Sequence, residues 1–183
     1  MWKTHGDEVS EWLEDKNWVY QERYRQDQQY MDHVSDILEH EVFQSMSLYI
    51  QHGKTTCKSH CIQVSYLSYR ICRKLGLDTR AAARAGLLHD MFLYDWHTYG
   101  KETGKRFHGF THPQTALKNA RYYFSLTDKE KNMILRHMWP LTPIPPSSRE
   151  GMVLVYADKF CSSKEILSHV KAMAVRKLGI SPA

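Results

Sequence analysis

Apolar residues recur three and four positions apart along almost the whole chain, the spacing of helices that each bury one face. Residues 7–30 read as a polar helix with a thin stripe of Leu13, Tyr20 and Tyr24. Residues 32–50 place Val34, Leu38, Val42, Met46 and Tyr49 on one face. Cys57, Cys61, Val64, Leu67, Ile71 and Leu75 form the stripe of a third helix, capped by Thr55 or Thr56 and ended by Gly76. Asp78 caps an alanine-rich helix from Thr79 to about Asp90, whose small side chains permit a close neighbour. Thr111 or His112 opens the next helix, with Pro113 in its first turn. Thr127 to Glu130 is a capping box for a helix ending before Pro140. Ser147 to Glu150 is a second box, opening a helix that contains Gly151 to Asp158, and a last helix covers about 163–178. No stretch alternates with the period of a strand, so the fold class is all-α.

One segment breaks the pattern. Residues 94–110 carry Gly100 and Gly104, interleave aromatic and basic residues, and have no period. A loop of that length in a compact domain is expected to act as a lid. The 183 residues suit one domain, expected as a helical extension over 1–30 and a body over 31–183. The longest apolar run, Met152 to Ala157, is too short to cross a membrane. The first residues hold no apolar run of signal-peptide length, so the cytoplasm is the expected location.

Charge and cysteine usage narrow the partners. The net charge is +5, yet the first 33 residues hold eight acids against four bases, so the rest is strongly basic. A basic body suits a small anionic ligand such as a phosphate ester or nucleotide. Basic residues form no run of five and the aromatics are scattered, which argues against dedicated nucleic-acid binding. Cys57 and Cys61 flank His60 at a spacing that a zinc site can use. They fall on an apolar helical stripe, however, and are read with Cys72 and Cys161 as reduced, buried small hydrophobes.

The chemistry lies in histidines and aspartates on the inward stripes. His60 follows Cys57 by three and precedes Val64 by four; His89 follows Gly86 by three, with Asp90 next. His112 aligns with Ala116 and Ala120, His137 with Met133 and Ile134, and Asp158 with Leu154 and Cys161. A lone histidine on such a face is ordinarily a core residue with a hydrogen-bond partner. A buried ionised aspartate is far more costly and needs a cation beside it. Lys159 points about 100° away from Asp158 around a helix and does not fill that role. Four histidines and two aspartates converging on one core share a single explanation, a bound metal centre.

These residues carry a family resemblance. His60, the doublet His89-Asp90 and Asp158 on successive helices resemble the HD superfamily of metal-dependent phosphohydrolases. Ala85-Gly-Leu-Leu-His-Asp90 looks like that family's doublet segment, and Val155-Tyr-Ala-Asp158-Lys like its terminal aspartate helix. The resemblance covers about residues 50–170 and implies an HD-type helical bundle. Members with two added histidines, here His112 and His137, hold two metals. By that resemblance His60, His89, Asp90 and Asp158 hold one ion, and Asp90 bridges to a second held by His112 and His137. Such a ligand set favours iron or manganese, with zinc as the alternative that takes fewer ligands.

The implied reaction is phosphate-ester hydrolysis by a metal-bridging hydroxide. Asp90 and Lys159 are expected at the reacting centre, and Asp95 or His108 is the candidate for protonating the leaving group. Lys54, Arg84, Lys105, Arg106 and Lys159 are candidate phosphate contacts. His137 is followed by Met138 rather than a second histidine, and a Gly-Tyr-Pro stretch is missing, which disfavours a cyclic dinucleotide substrate. Size and ligand order look more like small bacterial enzymes that hydrolyse symmetrical dinucleoside tetraphosphates. Two rival functions remain: a di-iron oxygenase of the same fold acting on a small anionic substrate, and a non-catalytic binding module, whose usual sign is a lost ligand.

Overall fold

The computed structural model describes residues 22–96 and 108–177. Residues 7–21 of the helix expected over 7–30, and most of the expected lid, residues 97–107, lie outside the described residues. The described end of that helix is instead a 3-10 turn, after which the Asp27 side chain accepts from Tyr30 N–H and caps a new helix. Seven α-helices and one small hairpin make up the described fold, so the all-α expectation holds. After a 3-10 turn at Glu22–Gln26 come α1, Gln28–Leu38, and α2, Glu41–Ser45. A 3-10 turn at Met46–Leu48 leads into β1, Ile50–His52, which pairs antiparallel with β2, Thr55–Thr56. The helices α3, Cys57–Lys74; α4, Thr79–Leu88; α5, His108–Tyr123; α6, Asp128–Arg136; and α7, Arg149–Lys177, follow. None of the described helices is long and apolar enough to cross a membrane.

The punctuation residues act largely as their chemistry requires. The side chains of Thr56 and Asp78 accept from the N–H groups of Ser59 and Ala81 and start α3 and α4. Thr127 and Glu130 form the reciprocal capping box of α6. Gly76 ends α3 in the left-handed region, at φ +63°. The second expected box does not close. Ser148 Oγ accepts from Gly151 N at 3.1 Å, while the Glu150 carboxylate accepts from the Asp78 backbone N–H and from Lys129. Glu150 thus joins the starts of α4, α6 and α7.

Element boundaries differ from the periodic reading in further places. The helix expected over 32–50 breaks after Leu38, where His40 Nδ1 accepts from Val42 N–H and restarts the chain as α2. Val34, Leu38 and Met46 are buried on both sides of that break, so the stripe runs through it unmarked. The hairpin strands are too short to show alternation. Helix α5 begins three residues before Thr111, leaving Pro113 one turn further in than expected. Helix α7 is one continuous helix rather than two. Its buried positions Leu154, Ala157, Cys161 and Glu165 give way to an exposed apolar face at Ile166, Leu167, Val170 and Met173, and that shift of face imitates a boundary.

Helix α3 is the central post, packed against α4 and α7 within the main apolar cluster. All four cysteines are free and buried. The α3–α4 contact depends on missing side chains: Ala82, Ala83 and Ala85 are fully buried, and a Cβ at Gly86 would lie 2.4 Å from Ser65 Cα. Ser65 Oγ donates to the Ala83 carbonyl at 2.6 Å and faces Tyr30 OH at 2.8 Å, locking α1, α3 and α4 at one point. Gly86→Ala is therefore expected to lower stability by about 1–3 kcal/mol or more, because the clashing atom is backbone and cannot rotate aside. Denaturant unfolding checks this; an unchanged midpoint would contradict the contact.

Candidate metal centre

Five helices deliver six side chains to one buried point. His60 comes from the second turn of α3, and His112 from within α5. Asp158 comes from the middle of α7. His89 and His137 stand at the C-terminal caps of α4 and α6, with Asp90 directly after His89. All six are buried. The expected convergence is thus present, although His89 and His137 reach it from helix ends rather than from an inward stripe.

The outer nitrogens define how these rings are used. His89 Nδ1 lies 2.9 Å from the Gly86 carbonyl, and His137 Nδ1 lies 2.7 Å from the Ile134 carbonyl. His60 Nδ1 lies 3.0 and 3.2 Å from the two oxygens of Glu165. Carbonyls and carboxylates only accept, so each Nδ1 carries a proton and each Nε2 is the atom that faces the centre, free to ligate an ion once its own proton is lost. The inward atoms are correspondingly close. His60 Nε2 is 3.2 Å from Asp158 Oδ1, and His89 Nε2 is 3.7 Å from the same oxygen.

Asp90 sits between two histidine pairs. Its Oδ2 lies 3.4 Å from His89 Nε2 and 3.8 Å from His60 Nε2, and accepts from Gln51 Nε2 at 2.6 Å. Its Oδ1 lies 3.1 Å from His112 Nε2 and 3.5 Å from His137 Nε2. The last two ring nitrogens are 2.9 Å apart. Donor atoms of His60, His89 and Asp158 form one group able to hold an ion, and those of His89, Asp90 and His137 form another.

This arrangement fits a metal. His89 Nε2 and Asp90 Oδ1 are buried and make no hydrogen bond of acceptable geometry, an expensive state for polar atoms without a cation. The charge balance agrees. Burial opposes protonation of His60, but the hydrogen-bonded carboxylates of Asp158 and Glu165 outweigh it and push the imidazole up to about 10. His89 also rises, against the same burial, chiefly through Asp90. Burial favours the neutral forms of Asp90 and Asp158 too, yet the neighbouring histidines hold both carboxyls well below their usual range. The cluster is short of positive charge and draws protons to supply it.

A cavity of about 570 Å³ opens onto one side of the centre. Asp90, His112, His137 and Asp158 reach it, with Gln51, Lys159, Ser162 and Ser163 as further polar lining and Trp96, Phe110, Met138 and Ile166 as apolar lining. Lys159 lines this cavity beside Asp158. Arg84 does not: its guanidinium is 4% exposed and held by Asp36 at 2.6 Å and Glu130 at 3.4 Å, so it ties α1, α4 and α6 together and is no phosphate contact. Lys54 and Asp95 are exposed and are not among the described residues lining the cavity. Lys105, Arg106 and the side chain of His108 lie outside the described residues.

Glu165 and Gln51 were not legible as site residues. Glu165 follows Asp158 by seven on one face of α7, a usable signal that the assumed helix break at about 159–162 conceals. Gln51 stands on a strand of three residues with no pattern to mark it.

A family model described as the HD domain matches residues 58–162. The chain belongs to the HD-domain family, within the metal-dependent hydrolase superfamily, and its helical fold and His/Asp cluster are consistent with that membership. Comparisons with curated proteins and with solved structures return no match.

The charge balance predicts how the metal-free protein responds to pH. His60 has a folded value near 10, above its ordinary 6.5, so its stabilisation is complete below 6.5 and is lost as pH rises toward 10. The depressed carboxyls of Asp90 and Asp158 act oppositely: their stabilisation is present above the ordinary 3.8 and is lost as pH falls through their folded values. Chelator-treated protein should therefore have its highest Tm between about pH 4 and 6.5 and lose Tm toward pH 10. Metal-loaded protein should keep its Tm over that alkaline range. Scanning calorimetry of both forms tests this, and parallel alkaline curves would contradict it.

Proposed function

We propose that this chain is a metal-dependent phosphohydrolase that cleaves a small phosphate ester or nucleotide. His60, His89, Asp90, His112, His137 and Asp158 would together hold two divalent ions, iron or manganese before zinc. The observation that carries this reading is Asp90, whose two oxygens each face a different histidine pair. When bound, two such ions supply Lewis acidity at the phosphoryl group and activate water at neutral pH.

The protein's own groups do the positioning. Gln51 donates to Asp90 Oδ2 and holds the carboxylate plane that faces both pairs. Lys159, next to Asp158, lines the cavity and would offer its ammonium to a phosphate oxygen. Ser162 and Ser163, three and four residues further on, add hydroxyl donors along the same edge of α7. Trp96, Phe110, Met138 and Ile166 provide an apolar wall for the organic part of the ester and exclude water from around it. The net charge of +5 favours encounter with anions.

Phosphate release with dioxygen excluded tests the reading. Manganese-loaded protein should cleave phosphate esters without oxygen and carry close to two ions per chain by elemental analysis. Asp90→Ala should remove turnover most completely, by more than the roughly 10–100-fold typical of losing a residue that only supports a ligand, because both ion positions lose a ligand. His137→Ala should be milder, because His60, His89 and Asp158 remain. Activity that appears only with iron and dioxygen would overturn the hydrolase reading in favour of an oxygenase.

A further inference from the structure

We infer that Glu165 is a positioning residue of the metal centre: it holds the His60 ring so that its inner nitrogen faces the site, and lends that ring negative charge. The inference rests on the metal-centre reading above. Glu165 lies beyond residue 162, where the family match ends, so the family assignment does not supply this role.

Where each histidine stands on its helix decides what its outer nitrogen can reach. His89 and His137 are cap residues, and the carbonyls three residues before them, Gly86 and Ile134, lie in a last turn where carbonyls lose their helical partners. Each ring takes up one of these freed acceptors, so its orientation follows from backbone alone. His60 has no such option. It is the fourth residue of an 18-residue helix, where the preceding carbonyls are engaged in the helix ladder. An acceptor for its Nδ1–H has to come from another element.

Glu165 supplies it. The side chain is 6% exposed, and both of its oxygens lie within 3.2 Å of His60 Nδ1. The same helix carries Asp158 two turns earlier, facing His60 Nε2 at 3.2 Å. Helix α7 therefore grips one imidazole from both sides, with a carboxylate on each nitrogen. A neutral carbonyl fixes a ring; a carboxylate also raises its basicity and so strengthens it as a ligand. Among the three described outer-nitrogen contacts, that of His60 alone is a charged side chain, and it can be removed by substitution.

Cobalt(II) binding to the full chain tests this, read by competition with a chromophoric chelator and by the visible spectrum of the bound ion. Glu165→Ala should weaken cobalt binding by about 10–100-fold, the usual cost of losing such a partner. Glu165→Gln keeps the packing and an oxygen that accepts from Nδ1–H, so it should recover at least half of that loss on a logarithmic scale and shift the spectrum. It also carries the test if the alanine variant folds poorly. Glu150→Gln, equally buried on α7 but bonded to Asp78, controls for helix stability: it should lower Tm and leave cobalt affinity within twofold. Wild-type affinity in Glu165→Ala, no recovery in Glu165→Gln, or equal loss in Glu150→Gln would overturn the positioning role. Absence of cobalt binding by the wild-type chain would instead remove the metal-centre reading itself.

Discussion

Three of the described imidazoles donate their outer N–H to an acceptor and turn the inner nitrogen toward one buried point, where two carboxylates are also buried. Neutral ring nitrogens and carboxylates in a dry core repel one another unless positive charge stands among them, and without a metal the histidines take up protons to supply it. The surrounding helices hold this arrangement in place at an energetic cost. A structure that spends stability this way has been shaped around a cation, since positive charge at the centre turns every one of these repulsions into an attraction.

The rest of the architecture follows from that demand. Helix α4 brings a histidine and an aspartate to the centre only because Gly86 and its alanine neighbours let it lie almost in contact with the α3 backbone. Ser148, Glu150, Asp78 and Lys129 join the far ends of α4, α6 and α7, setting the angle at which those helices approach. The ligands are placed by backbone geometry at two corners and by helix-to-helix side-chain contact at a third. Arg84, which looks like a substrate contact by charge, turns out to be part of this frame.

The donor set was readable because it obeys local rules: each histidine or aspartate falls on, or just past, an apolar helical stripe, and helical spacing brings such positions inward. Caps were readable for the same reason, since Thr56, Asp78 and the Thr127–Glu130 pair act within their own turn. What was not readable depends on contacts between distant segments. The Glu165–His60 pair joins residues 105 apart, and the hairpin that presents Gln51 is too short to carry a pattern. The break after Leu38 preserved the apolar spacing and so left no mark, whereas the change of buried face within α7 made one helix look like two.

That unbroken helix has a mechanical consequence. Asp158 and Glu165 are about 10 Å apart along a single rigid rod of roughly 43 Å. The hairpin leans on it at His169, where Gly53 leaves room for close approach. Beyond that fulcrum the rod continues past Val170 and Met173, which stand open to solvent. A force applied to this outer arm cannot be absorbed by a hinge between the two carboxylates. Any tilt of this helix would carry both carboxylates together and change the contacts of His60 on its two nitrogens at once.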